Sequence, residues 1–150
     1  MSRRRDSAAG ATPASATDPV RTRLVAAAAA AVTVAAGLGL RAVAAGSVAK
    51  YGGDALYTVL LLALVVLVAP RVTPVRAAGI ALAASWAVEF LQLSAVPAEL
   101  SRHSTVARLV LGSTFNAPDL FWYAAGAAAG LLVHTVILRR RPRTGAVDVR

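Results

Sequence analysis

The stretch WAVEFLQL, residues 86–93, sets Glu89 and Gln92 three positions apart inside an apolar run that extends over residues 77–96. A helix needs about 20 such residues to cross a hydrocarbon core of about 30 Å. The run therefore reads as a membrane span, and the polar pair inside it needs an explanation. The i, i+3 spacing puts both side chains on one helical face. Placing an ionised carboxylate in the bilayer costs about 2.5–3.5 kcal/mol on insertion scales. Glu89 must therefore face other helices, either paired with a cation or held neutral by desolvation.

Three further segments have the same character: residues 24–45, 55–69 and roughly 120–138. The first is mostly alanine with Gly37 and Gly39, and the last carries Gly126 and Gly130 in GxxxG spacing. Small residues let helices approach closely, so both spans are expected to pack tightly. The second is short, and reaches full length only if Tyr51 and Asp54 sit at the interface. Composition agrees with this reading: 57% of the 150 residues are apolar, 15% are charged and none is cysteine. Soluble domains carry about 25% charged residues. The expected fold class is an all-α, four-helix membrane bundle, in which a basic tail (1–23) precedes a membrane domain (24–138) and a second basic tail (139–150) follows.

The net charge of +9 does not point to nucleic acid. The basic residues flank the apolar runs, and no aromatic residues are interleaved with them to stack on bases. Their placement instead sets orientation. The N-terminal tail, the loop around Arg71 and Arg76, and the C-terminal tail hold twelve of the sixteen, while Arg41, Lys50, Arg102 and Arg108 fall on the other side. Both termini are expected to be cytoplasmic. Arg41, at the end of the first run, argues against cleavage of that run as a signal peptide.

On this topology the odd polar residues share one level. Glu89 and Gln92 lie roughly 18 and 22 Å from the cytoplasmic end of their span. Asp54 opens the second span after Lys50, and Asp119 opens the fourth after Asn116, which is placed to cap it. The loop before Asn116 brings Arg102 and Arg108. Val106, Leu109 and Val110 in that loop are spaced for a short interfacial helix ended by Gly112. Lys50, Asp54, Glu89, Gln92, Arg102, Arg108, Asn116 and Asp119 thus form the candidate ligand-binding pocket, with the cations and carboxylates able to hold a polar head group. No metal-ligand spacing and no cofactor motif is present. Membrane lipids are the expected partners, with self-association as a further option. Other uses of the same groups are acid–base chemistry on an envelope lipid, an ion path, or an ion-pair network that merely locks the helices.

At these residues the chain resembles a family of small bacterial membrane proteins, domain of unknown function 2809. The resemblance rests on Gly-Asp-Ala-Leu-Tyr at 53–57, Glu-Phe-x-Gln-Leu at 89–93, Arg-Leu-Val-Leu-Gly at 108–112 and Asp-Leu-x-x-Tyr-x-x-Gly at 119–126. Ser94 and Ala98 stand where family members usually carry aromatic residues. A looser similarity links the chain to VanZ-like proteins, which share a Glu-x-x-Gln on one helix and a later Asp opening another, and are associated with glycopeptide resistance. The resemblance implies a multi-pass inner-membrane protein of a bacterium and carries no assigned reaction.

Overall fold

The structure, a computed structural model, describes residues 18–112 and 114–140. These form six helices: α1 (Pro19–Val43), α2 (Gly46–Val68), α3 (Pro74–Leu91), α4 (Val96–His103), α5 (Thr105–Leu111) and α6 (Ala117–Arg139). Four of them, α1, α2, α3 and α6, are long and apolar enough to cross a membrane. The protein is an all-helical, multi-pass membrane protein. Residues 1–17 and 141–150 of the two expected basic tails lie outside the described residues, and the first span begins at Pro19 rather than at 24. Asp18 caps it, accepting from the Val20 N–H at 3.0 Å.

Helix α2 is the hub, in contact with α1, α3 and α6, and α3 also packs on α6. The seams are made by small groups. Gly126 and Gly130 of α6 are buried, and a Cβ on Gly126 would strike the Ala55 carbonyl of α2. The GxxxG expectation is met on this face. In the α2–α3 seam, fully buried Thr58 and Ser85 share a hydrogen bond of 2.9 Å. Ser85 donates onward to the Ala81 carbonyl at 3.0 Å. Trp86 Nε1 donates to the Leu120 carbonyl at 3.2 Å, tying α3 to the start of α6.

Four expectations need correction. Helix α2 starts nine residues before the expected 55, after a connection of two alanines, so Lys50 and Asp54 stand inside a helix one turn apart. Lys50 is tolerated there because Asp119 of α6 accepts from it, and Asp54 lies 3.6 Å from the same ammonium. Helix α3 ends at Leu91 rather than at 96, which leaves Gln92 as its C-cap. The loop beyond holds two short helices rather than one. Ser104 breaks them with extended backbone and caps α5, accepting from the Ala107 N–H at 3.2 Å. Gly112 ends α5 as expected, at φ +66°. Finally, Gly37 and Gly39 do not mark a tight seam: a Cβ at either meets nothing within 4 Å. Helix α1 packs chiefly on α2 and leaves much of its surface open.

Gly126→Ala is expected to destabilise the bundle by about 1–3 kcal/mol by forcing α2 and α6 apart. Gly79→Ala, on an open face of α3, should be neutral or stabilising by about 0.5–1 kcal/mol. Reversible unfolding in bicelles separates them.

Candidate functional site

The last turn of α3 carries Glu89, fully buried. Its Oε1 accepts the backbone N–H of Asn116 at 2.5 Å, and its Oε2 accepts the hydroxyl of Tyr123 at 3.1 Å. Three residues on, Gln92 Nε2 donates to the Leu111 carbonyl at 2.6 Å. The pair thus grips both ends of the connector between α5 and α6. A buried backbone N–H or C=O left without a partner is costly, so these contacts fix where the connector runs. Gly112 is required at the crossing: its φ is positive, and a Cβ would lie 2.6 Å from Gln92 Nε2. Ser101 Oγ joins α4 to the same point by donating to the Gly112 carbonyl at 3.0 Å. No cation pairs with Glu89 among the described residues, contrary to one of the two sequence expectations. Its partners are a main-chain amide and a phenol.

A second cluster adjoins the first. The Lys50 ammonium of α2 donates to the Asp119 carboxylate of α6, and lies 3.6 Å from Asp54 one turn along its own helix. The other Asp119 oxygen accepts from the Asn116 side-chain amide. Asn116 stands at the N-cap position of α6, but its side chain makes no cap bond. It bridges instead, through its amide side chain to Asp119 and through its main chain to Glu89. The sequence of contacts Asp54–Lys50–Asp119–Asn116–Glu89–Tyr123 therefore joins α2, α6 and α3 at one end of the bundle. The chain of contacts links all three carboxylates, Asp54 and Asp119 through Lys50 and Glu89 through Asn116. One ammonium stands between two of them, and among the described residues no three acidic or histidine side chains are grouped to hold a metal ion.

A cavity of about 700 Å³ opens beside this network, between α1, α2, α5 and the start of α6. Lys50, Asp54, Gln92, Arg108 and Asp119 all line it; Glu89, Arg102 and Asn116 do not. Glu89 and Asn116 support its wall from behind. Arg102 sits on α4, strongly exposed, paired with Glu99 at 3.0 Å. The sequence reading missed one lining cation, Arg41 in the last turn of α1. In the sequence Arg41 bears on topology and on signal-peptide cleavage; the signal for the site is its position on the same side as Lys50 and Arg108.

Residues 43–127 match the model of a family described as "Protein of unknown function (DUF2809)". The chain belongs to this family. The match covers more than half of the 150 residues and spans α2 to the middle of α6. Every member of the polar network falls inside it, whereas Arg41 and nearly all of α1 lie before it. No curated protein and no solved structure matches the chain.

Glu89→Ala leaves the Asn116 N–H and the Tyr123 hydroxyl without acceptors, at about 1–3 kcal/mol for each group. Glu89→Gln keeps an acceptor oxygen for Asn116 and should cost distinctly less. Thermal unfolding in detergent should rank wild type above Gln and Gln above Ala; equal losses would remove the connector grip as the role of Glu89.

Proposed function

We propose that this DUF2809 protein binds the polar head of a membrane amphiphile, a lipid head group or cell-envelope precursor, in the cavity between α1, α2 and α5. The two walls of the cavity carry the reading. Charged groups from four elements (Arg41, Lys50, Arg108 and Asp119) contribute to the lining. Val34 and Leu38 of α1, with Leu56 and Leu60 of α2, supply an apolar seam one helical turn at a time. Such a mixture suits a ligand with a polar head and a hydrocarbon body.

The glycines add support. Gly37 and Gly53 both line the cavity, and a Cβ on either would meet nothing within 4 Å. Glycine inside a helix costs about 0.5–1 kcal/mol relative to alanine. No close packing repays that cost here, whereas room for a ligand does. The count of basic residues on each side orients the cavity toward the outer face of a bacterial inner membrane. In this reading the Glu-x-x-Gln shared with VanZ-like proteins positions a loop and leaves the ligand to the neighbouring charges. Binding is favoured over catalysis because the carboxylate cluster is already engaged with Lys50, Asn116 and Tyr123.

Filling the cavity tests this without touching the charges. Native mass spectrometry of the full chain should show a retained amphiphile on wild type. Gly37→Phe and Gly53→Leu should lose it while keeping their unfolding temperature. Identical bound species on all three proteins would refute the pocket.

A further inference from the structure

The cations lining the cavity are not equivalent. Lys50 is committed to two carboxylates, Asp54 and Asp119. Arg41 and Arg108 line the same cavity, yet neither makes an ion pair or a side-chain hydrogen bond among the described residues. In formal charges the triad Asp54–Lys50–Asp119 carries −1, and the two arginines +2. The lining therefore retains one positive charge after internal compensation.

Each arginine lies in the last turn of its helix, Arg41 on α1 and Arg108 on α5. A cation there is favoured by the helix dipole, by about 0.3–1 kcal/mol. That accounts for a basic residue at each position. It does not account for two helices, far apart in sequence, ending with their guanidinium-bearing residues on one cavity. A guanidinium presents a planar fork of donors that matches two oxygens of a phosphoryl group, and it is less strongly hydrated than an ammonium. Two forks with no internal acceptor fit a tetrahedral oxyanion better than a neutral or cationic head.

We propose that Arg41 and Arg108 form a phosphoryl-binding pair, so that the ligand of the cavity bears a phosphate group, with any hydrocarbon chain lying along Val34, Leu38, Leu56 and Leu60. This rests on the pocket reading above and narrows it to one chemical class. It also gives α1 a part in recognition, although α1 lies almost entirely outside the family match. The phosphate can arrive on a lipid or free in solution, and the site chemistry is the same for both.

The test uses the purified full chain in an uncharged detergent, titrated with dioctanoyl phosphatidic acid, dioctanoylglycerol or inorganic phosphate, with binding read by native mass spectrometry. Wild type should bind phosphatidic acid in preference to dioctanoylglycerol. Arg41→Gln and Arg108→Gln should each weaken it about tenfold, which corresponds to ~1.4 kcal/mol. Arg41→Lys, which keeps charge but loses the fork, should fall between; it also serves if Arg41→Gln does not fold. Arg102→Gln, at the same end but paired with Glu99 on α4, should bind as wild type does. Phosphatidic acid held far better than inorganic phosphate assigns the group to a lipid. Equal binding of the two assigns it to a soluble anion, the arginine dependence being required in both cases. Equal losses for Arg102→Gln and Arg108→Gln would mean general surface attraction and would overturn the pair. Dioctanoylglycerol bound as tightly as phosphatidic acid, and displaced by Gly37→Phe, would overturn the phosphate while sparing the pocket. If neither amphiphile nor phosphate binds, both readings fall.

Discussion

A carboxylate with no access to solvent dictates the rest of this end of the molecule. Glu89 is fully buried, and such a group survives in a membrane interior only if its oxygens are occupied. The occupants are the Asn116 N–H and the Tyr123 hydroxyl, both belonging to the start of α6. Satisfying Glu89 therefore fixes α6 against α3. The same bond fixes the main chain at Asn116, whose side chain then meets Asp119, which in turn meets Lys50 of α2. Three helices are registered by one chain of polar contacts. The close approach of Gly126 to Ala55 registers α2 and α6 a second time, deeper in the bundle.

The cavity follows from that arrangement. Gripped at Leu111 by Gln92 and at Asn116 by Glu89, the connector keeps α5 at the rim of the cavity that α2 also lines. Helix α1 closes the remaining side but packs chiefly on α2, so a space remains between α1 and α5. Glycines at 37 and 53 keep it open.

Much of this was legible in the sequence, for reasons that also mark where legibility stops. Apolar runs of membrane-spanning length gave four helices, and GxxxG gave the α6 seam. The spacing of Glu89 and Gln92 correctly put them on one face. Their partners could not be read, because an amide N–H and a carbonyl oxygen occur at nearly every residue and carry no sequence signal. The start of α2 was missed because Lys50, Tyr51 and Asp54 look like an interfacial loop until Asp119 is seen to complete them. Asn116 was expected to cap α6, whereas its side chain is taken by Asp119. Arg102 and Arg108 looked alike as loop cations. Only packing separates them, sending one to Glu99 on an exposed helix and the other to the cavity.

The central claim is that the Glu89 carboxylate is held by the connector amide of Asn116. Solid-state NMR on the uniformly labelled protein in lipid measures this directly, through a nitrogen–carbon correlation between the Asn116 amide and the Glu89 side-chain carboxyl carbon. The account predicts a cross-peak at short mixing time, accompanied by a contact from the Glu89 carboxyl to the Tyr123 ring. A Glu89 carboxyl that correlates instead with an arginine or lysine side chain, or with water alone, would contradict it.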